Sequence, residues 1–249
     1  MIKISTFYIK NTQVNNDKIF LEGQDVKHIK NVLRHKIGDE IEVCDENGIR
    51  YFTKIEAFLE ETIDLKILDL TSESTELPVE IDLYQGLPKS DKMDLIVQKC
   101  TEIGANSVIP VITDRVIVKL DEKSGAKKVE RWNKIAAEAA KQSGRQIVPT
   151  VENVTFLENI IENLSKYDIV IVPYECEKTS TLKVKLRNSN KEVKSIAVVI
   201  GPEGGFSDRD IATLEKCPKV EKVSLGKRIL RTETAGIATL AMILYEYEL

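Results

Sequence analysis

Hydrophobic and polar residues alternate along the first seventy positions in a pattern typical of a small β-rich unit. Segments 40–44 and 62–70 show this alternation, and segment 49–58, joined to the first by turn residues, is rich in residues that favour strands. Between residues 25 and 34 the apolar positions keep helical spacing instead, with Asp25 placed to cap the first turn. We therefore predict a small β-barrel-like unit that contains one short helix.

The pattern changes after the polar, aperiodic stretch 71–76. Beyond it, apolar strands alternate with amphipathic helices. The predicted strands are 79–84, 107–112, 168–173, 196–200 and 220–225, and the predicted helices are 90–103, 127–142, 155–164, a helix opened by Ser207, and 233–248. This order predicts a mainly parallel sheet with helices on both faces. We place two domains at residues 1–74 and 75–249.

Composition adds limits on the location of the chain. Hydrophobic residues make up 42% of it, and no run approaches the roughly 18 to 20 apolar residues that a membrane helix needs. Residues 1–6 alternate like a strand and lack the apolar core and cleavage site of a secretory signal. We expect a cytoplasmic protein with no membrane association.

Neither cysteine nor histidine forms a recognisable metal motif. The four cysteines are far apart and form no C-x-x-C pair, which argues against a zinc ribbon or a dithiol centre. His28 and His35 share a helical face but have no third ligand of suitable type beside them. We predict that no metal is bound.

The net charge of −4 excludes a global positive field that would attract nucleic acid. Any RNA contact must therefore be local. The strongest local candidate for an RNA contact is the stretch 115–145, which contains nine Lys or Arg residues and only four Asp or Glu residues. An exposed helix face solvated by its own charges is the alternative.

Three loops follow predicted strands at the edge where parallel sheets bind ligands: 173–174, 201–205 and 225–234. Glycines in the second loop let backbone amides approach a ligand closely, which suits a nucleoside cofactor. Their spacing matches neither the dinucleotide pattern nor the phosphate loop. A tight strand-to-helix turn explains Gly204 and Gly205 equally well, so both interpretations stay open.

The third loop places cations directly before a predicted helix that Thr232 can cap. Lys227, Arg228 and Arg231 oppose the helix dipole there, at a cost of roughly 0.3 to 1 kcal/mol each at exposed sites. Such a local cost favours a binding role toward an RNA phosphate or a cofactor carboxylate. Solvated cations at a helix end are the alternative.

Several motifs in order along the chain resemble those of the ribosomal RNA small subunit methyltransferase E family, a knotted SPOUT-class family. The two strongest are Gly201-Pro202-Glu203-Gly204-Gly205-Phe206 and Leu225-Gly226-Lys227-Arg228-Ile229-Leu230-Arg231-Thr232-Glu233-Thr234-Ala235. Further matches are Gly86-Leu87-Pro88-Lys89, Asp91-Lys92-Met93, Gln98-Lys99-Cys100-Thr101-Glu102-Ile103-Gly104, Arg131-Trp132 and Glu138-Ala139-Ala140-Lys141-Gln142-Ser143-Gly144-Arg145, with His28-Ile29 and Val32-Leu33-Arg34 near the start. The resemblance covers essentially the whole chain.

The resemblance implies an α/β fold in which a C-terminal SPOUT-type parallel sheet with a trefoil knot follows a small PUA-like β-barrel domain that binds RNA. It implies a homodimer that uses S-adenosylmethionine, without a metal, to methylate N3 of a specific uridine in 16S rRNA of the small ribosomal subunit. Periodicity alone would predict an unknotted doubly wound sheet.

Two features of the first domain bear on its RNA role. Where family members commonly carry an arginine near the start, this chain has Ser5-Thr6-Phe7, which weakens any RNA role for the N-terminus. Residues 1–72 hold ten Lys and Arg against thirteen Asp and Glu, so this domain is expected to read the shape of folded RNA.

The resemblance also assigns site residues. Backbone and apolar groups expected to receive the cofactor are those of Pro173, Tyr174, Ile200, Gly201, Gly204, Leu225, Gly226, Ile229 and Leu230. Residues expected to contact RNA are Arg34, Arg115, Arg131, Arg145, Lys227 and Arg228.

Two residues are predicted to act in catalysis. Uridine N3 is not nucleophilic while protonated, so a base or a cation that stabilises the deprotonated ring is required. We assign the cationic role to Arg231, and the role of base or orienting group to Glu203. The alternative for Glu203 is a hydrogen bond that holds the glycine-rich loop.

The sequence is also compatible with other functions. SPOUT relatives share the cofactor pocket, so methylation of tRNA or large-subunit RNA is one alternative. A non-catalytic RNA-binding assembly factor that keeps the pocket is another. A nucleotide-hydrolysing enzyme is disfavoured, because the phosphate loop and paired carboxylates at metal spacing are missing.

Overall fold

The structure of the protein is a computed structural model that describes residues 6–71, 73–118, 121–189 and 192–247, without the side chain of Glu122. The chain forms two compact units, the first of residues 1–76 with 140–148 and the second of residues 77–139 with 149–249. The expected N-terminal strand at residues 1–5 and Lys119 of the basic stretch lie outside the described residues. The boundary between residues 74 and 75 stays a prediction, to which the structure adds the grouping of 140–148 with the first unit.

The first unit contains a six-stranded sheet. Its strands are β1 (Thr6–Tyr8), β2 (Val14–Asn15), β3 (Lys18–Glu22), β4 (Glu40–Cys44), β5 (Arg50–Phe58) and β6 (Thr62–Thr71). Their order is β1-β4-β5-β6-β3-β2, with β1 and β4 parallel and the other pairs antiparallel. The predicted hairpin is confirmed, since β4 and β5 pair antiparallel from Glu40 with Lys54 to Cys44 with Arg50. Alternate residues such as Ile41, Val43 and Ile55 are buried in one core.

The predicted helix near residue 25 exists, but it changes character along its length. α1 (Gln24–Lys27) continues as a π-helical turn, His28–Leu33, that ends where Arg34 adopts a left-handed φ of 57°. The capping role predicted for Asp25 is wrong, because Gly23 is the N-cap and the Asp25 carboxylate accepts a 3.0 Å hydrogen bond from Lys141 Nζ.

The second unit is built on a seven-stranded sheet in which every strand pair is parallel. Its strands are β7 (Glu80–Gly86), β8 (Ser107–Ile112), β9 (Thr150–Val151), β10 (Thr155–Phe156), β11 (Ile169–Pro173), β12 (Ser195–Ile200) and β13 (Val220–Val223). The order is β10-β8-β7-β12-β11-β13, with β9 also paired to β8. The predicted parallel sheet is therefore confirmed, whereas its knot stays a prediction.

Helices cover both faces of this sheet, as predicted. They are α2 (Lys92–Ile103), α3 (Glu122–Ser143), α4 (Leu157–Leu164), α5 (Leu182–Asn188), α6 (Asp208–Leu214) and α7 (Thr232–Tyr247). Leu83 and Val198 pack with residues of α2, α3, α5 and α7, and their strand neighbours Tyr84 and Val199 pack with α4 and α6. Among the described residues, no helix is long and apolar enough to cross a membrane.

Candidate functional site

Three loops of the second unit meet at the carboxyl edge of its sheet. Strand β11 pairs with β12 on one side and with β13 on the other, and all three run in the same direction. Their C-terminal ends therefore open onto one edge, which is where parallel sheets bind ligands. We call residues 173–175 the first loop, 201–205 the glycine loop and 225–231 the cationic loop.

The three loops enclose two adjoining cavities. One lies between the first and cationic loops, and the other, of about 390 Å³, lies beside the glycine loop. Both share the wall residues Pro173, Glu175, Ile229, Leu230 and Ala235. All nine residues predicted to bind the cofactor line one cavity or both. The structure thus brings the predicted set together, in a volume within the usual range for small-molecule sites.

Close backbone packing explains one glycine next to this site. Gly86 ends strand β7, and a Cβ atom built on it would lie 2.7 Å from the backbone nitrogen of Pro202. Any larger residue would push the glycine loop away from the sheet edge. The shape of the cavity therefore depends on Gly86, although it lies outside the three loops.

A buried pair of hydrogen bonds ties the glycine loop to the sheet and to α7. The Thr232 hydroxyl donates to the Gly201 carbonyl at 2.6 Å and accepts from Gln85 Nε2 at 2.8 Å. Because a carbonyl can only accept, the donor direction along this relay is fixed. Gln85 is fully buried, and its Oε1 has no hydrogen-bond partner within the described residues.

This relay corrects one expectation and adds a residue that the sequence did not indicate. Thr232 does not cap α7 but is its first residue, with its hydroxyl used on the glycine loop. Gln85 was missed because it sits in an apolar strand, where a glutamine gives no motif. Its position directly before the Gly86 motif was the available signal.

Glu203 is held by two partners at the mouth of the glycine loop. Its carboxylate accepts from the Lys89 amide at 3.0 Å and from Lys92 Nζ at 2.9 Å, and Lys92 also lies 3.4 Å from the Glu233 carboxylate. Burial acts to raise the pKa of Glu203, but these hydrogen bonds outweigh it and lower that pKa below its ordinary value. A carboxylate of this kind is a weak base near neutral pH.

The cations of the cationic loop are unpaired. Arg231 lines the cavity beside the glycine loop, while Lys227 and Arg228 line the other cavity. All three side chains are exposed, and none makes a hydrogen bond or ion pair with the rest of the described chain. Their charge is available to a ligand.

The remaining predicted RNA contacts are dispersed. Arg115 Nη1 donates to the Gly204 carbonyl at 2.8 Å, and Arg131 is paired with Asp94. In the first unit, Arg34 is exposed, whereas Arg145 is only 6% exposed and its Nε donates to Glu76 at 3.0 Å. The burial of Arg145 weighs against the RNA contact predicted for it.

No set of three His, Cys, Asp or Glu side chains in the described parts of the chain could hold a metal ion. All four cysteines are free, and three of them are buried.

Comparison with protein families matches both parts of the chain. A model described as an RNA methyltransferase domain matches residues 75–244, and a model described as an RNA methyltransferase PUA domain matches residues 21–68. Among curated relatives, "Ribosomal RNA small subunit methyltransferase E" of Bacillus subtilis is 37% identical over 92% of this chain and 90% of its own length. A protein of the same name from Aquifex aeolicus is 33% identical over 91% and 93% of the two chains.

Solved structures share the whole fold. A ribosomal RNA small subunit methyltransferase E from Neisseria gonorrhoeae, bound to S-adenosyl methionine, superposes with a TM-score of 0.83 at 28% identity over 98% of both chains. A putative methyltransferase from Legionella pneumophila, in complex with the bound cofactor SAM, gives a TM-score of 0.84 at 26% identity over 97% of both chains.

Proposed function

Because the chain belongs to the ribosomal RNA small subunit methyltransferase E family, we propose that it transfers the methyl group of S-adenosylmethionine to N3 of one uridine in 16S rRNA. The observation that carries this proposal is the convergence of three loops, with all nine expected cofactor residues, on two adjoining cavities. The described residues fit such a cofactor, since backbone groups and apolar walls suit adenosine and exposed cations suit a carboxylate.

The cofactor supplies a methyl group made electrophilic by its sulfonium, so the chain must position the two reactants and manage the N3 proton. The methyl carbon leaves sulfur and bonds to N3, while the proton of N3 passes to a base or to water. We assign to Arg231 the stabilisation of negative charge on the uracil oxygens, because its guanidinium lines the cavity and is unpaired.

For Glu203 we propose a positioning role. Its carboxylate is already engaged by Lys89 and Lys92, and its lowered pKa makes it a poor proton acceptor near neutral pH. It holds the glycine loop against the start of α2, so that the Gly201 and Gly204 backbone faces the cavity.

RNA contact is assigned to the exposed cations. Lys227 and Arg228 lie on the rim of the site and have no competing partner in the described residues, and Arg34 offers an exposed cation in the first unit. Arg115 and Arg131 already have protein partners, so we propose that they support the fold first and contact RNA second.

A homodimer in the cytoplasm, with the knot that the resemblance implies, completes the proposal. Helix α7, which begins at the site, leaves Met242 and Tyr245 42% and 66% exposed, respectively, which gives an apolar surface for a second copy.

The test is incubation of the purified protein with labelled S-adenosylmethionine and unmodified small ribosomal subunits, followed by mapping of the modified nucleotide. Label at N3 of one 16S uridine is expected. Label only on tRNA or on large-subunit RNA would overturn the substrate. No label despite measured cofactor binding would identify a non-catalytic assembly factor.

A further inference from the structure

One acidic residue, Glu175, lines both cavities of the site. Glu175 follows strand β11 by two residues and lies on the wall that the two cavities share. It is exposed, and neither periodicity nor the quoted motifs singled it out.

The other carboxylates near the loops are engaged. Glu203 binds Lys89 and Lys92, Glu233 lies 3.4 Å from Lys92, and Glu177 accepts from Thr179 and Ser180. Glu175, by contrast, makes no hydrogen bond or ion pair with any residue that the structure describes. It is therefore the carboxylate of the site that keeps its full capacity to accept hydrogen bonds from a ligand.

The glycine loop makes room for this carboxylate. Gly205 has a left-handed φ of 66°, and a Cβ atom built on it would lie 2.8 Å from Glu175 Oε1. The carboxylate of Glu175, although exposed, thus lies close to the glycine loop. A glycine satisfies both the backbone conformation and the close approach.

We propose that Glu175 binds the ribose hydroxyls of the cofactor, an inference that rests on the proposed use of S-adenosylmethionine. Two adjacent hydroxyls are donors matched to the two oxygens of one carboxylate, and hydrogen bonds to an ionised acceptor are the stronger kind. Glu175 stands where the two cavities join, which suits the sugar that links the adenine to the methyl-bearing end.

The sulfonium is the competing partner for a free carboxylate. A carboxylate oxygen in contact with the sulfonium methyl would itself be a nucleophile toward that methyl group. The ribose is therefore the favoured partner, and the two assignments predict different responses to the product S-adenosylhomocysteine, which has the ribose but no sulfonium.

Calorimetric binding of S-adenosylmethionine, S-adenosylhomocysteine and 5′-methylthioadenosine to the full chain tests this assignment. Glu175→Ala should weaken all three by a similar factor, about 10-fold to 100-fold, and Glu175→Gln should weaken them less because it keeps one acceptor. Glu162→Ala removes an exposed carboxylate of α4 outside the site and should change none of them. Matching melting temperatures of the variants ensure that the fold is intact.

Each other result overturns the assignment. A loss confined to S-adenosylmethionine would place Glu175 at the sulfonium, and a loss spared in 5′-methylthioadenosine would place it at the amino-acid end. Unchanged affinity for all three would remove it from the site. Failure of the unmodified chain to bind S-adenosylmethionine would instead refute the proposed function, before any variant is compared.

Discussion

The glycine loop and the cationic loop border the same cavity, but they are held in opposite ways. The glycine loop is fixed by three partners, since Thr232 binds Gly201, Lys92 binds Glu203 and Arg115 binds Gly204. In the cationic loop the charged side chains have no partner in the described residues, and Ile229 is 87% exposed. A fixed loop suits a cofactor of constant shape, whereas a loop with free charges suits a large polyanionic substrate.

Arg231 is expected to give the largest effect, because it is the cation of the cationic loop that lines the cavity beside the glycine loop. Arg231→Ala should lower kcat on small subunits by about 10²- to 10³-fold, because no cation of this loop would then face the charge that develops on uracil. Affinity for S-adenosylmethionine should change less than about threefold. Single-turnover kinetics and calorimetry together measure the two effects.

The matched variant is Arg228→Ala, which removes a neighbouring cation of the same loop. It should leave single-turnover chemistry nearly intact when RNA is saturating. Near-normal turnover in Arg231→Ala would end its assignment to catalysis.

The buried relay gives the next largest effect, and it acts on the glycine loop. Thr232→Val keeps the shape of the side chain but removes the hydrogen bond to the Gly201 carbonyl and one of the two hydrogen bonds that Gln85 Nε2 donates, so that only its bond to the Gly86 carbonyl remains. The free energy of unfolding should fall by about 1 to 3 kcal/mol, and the affinity for S-adenosylmethionine should fall about tenfold. Urea unfolding and calorimetry measure these changes.

Thr234→Val is the control, because it makes the same chemical change at an exposed threonine of α7, two residues away from Thr232. It should alter neither quantity. An unchanged cofactor affinity in Thr232→Val would show that the relay stabilises the fold without shaping the site.

The contrast between the loops also explains what the sequence could predict. Both loops can be located from glycine and cation patterns after predicted strands, because such patterns are local. Gln85 and the hydroxyl bond of Thr232 cannot, because the two contacts join residues 147 and 31 positions apart. Local patterns in the sequence thus indicate which residues line the site better than they indicate which residues fix its loops in place through hydrogen bonds.

The same division applies to the fold. The predicted and observed bounds of strand Ser107–Ile112 agree, because a buried strand appears in the sequence as a continuous apolar run. Residues 155–156 are predicted as helix but pair with β8, and the short α5 with its three basic residues is absent from the prediction. Strand pairing at a sheet edge is a tertiary choice that periodicity does not record.

Removing two cations from the cationic loop should have a smaller effect, which is on binding of the RNA substrate. Removing Lys227 and Arg228 together should weaken binding to small subunits, and it should reduce the slope of log K against log salt by about one for each phosphate that is no longer neutralised. Binding measured at several salt concentrations gives that slope. Lys216→Ala removes an exposed cation outside the three loops and should leave it unchanged. An unaltered slope in the double variant would move RNA binding to another surface.

The smallest expected effect concerns Glu203 of the glycine loop and depends on pH. Its pKa is lowered in the folded chain by its bonds to Lys92 and Lys89, against the opposing effect of burial. The ionised form is thus favoured by folding, and this contributes stability above the ordinary carboxylate pKa of about 4.3, which is lost as pH falls through the lowered pKa. Glu203→Gln should remove this contribution, less than about 1 kcal/mol, so the stabilities of the two proteins should converge on acidification.

Urea unfolding between neutral and acid pH measures that convergence, and kcat of the same variant separates the two roles of Glu203. A residue that only fixes the glycine loop should lose less than about tenfold in kcat, whereas removal of a general base costs about 10² to 10⁴. A larger loss at unchanged stability would make Glu203 the base. The glycine loop would then take part in catalysis as well as in cofactor binding, and the assignment of these two roles to separate loops would be wrong.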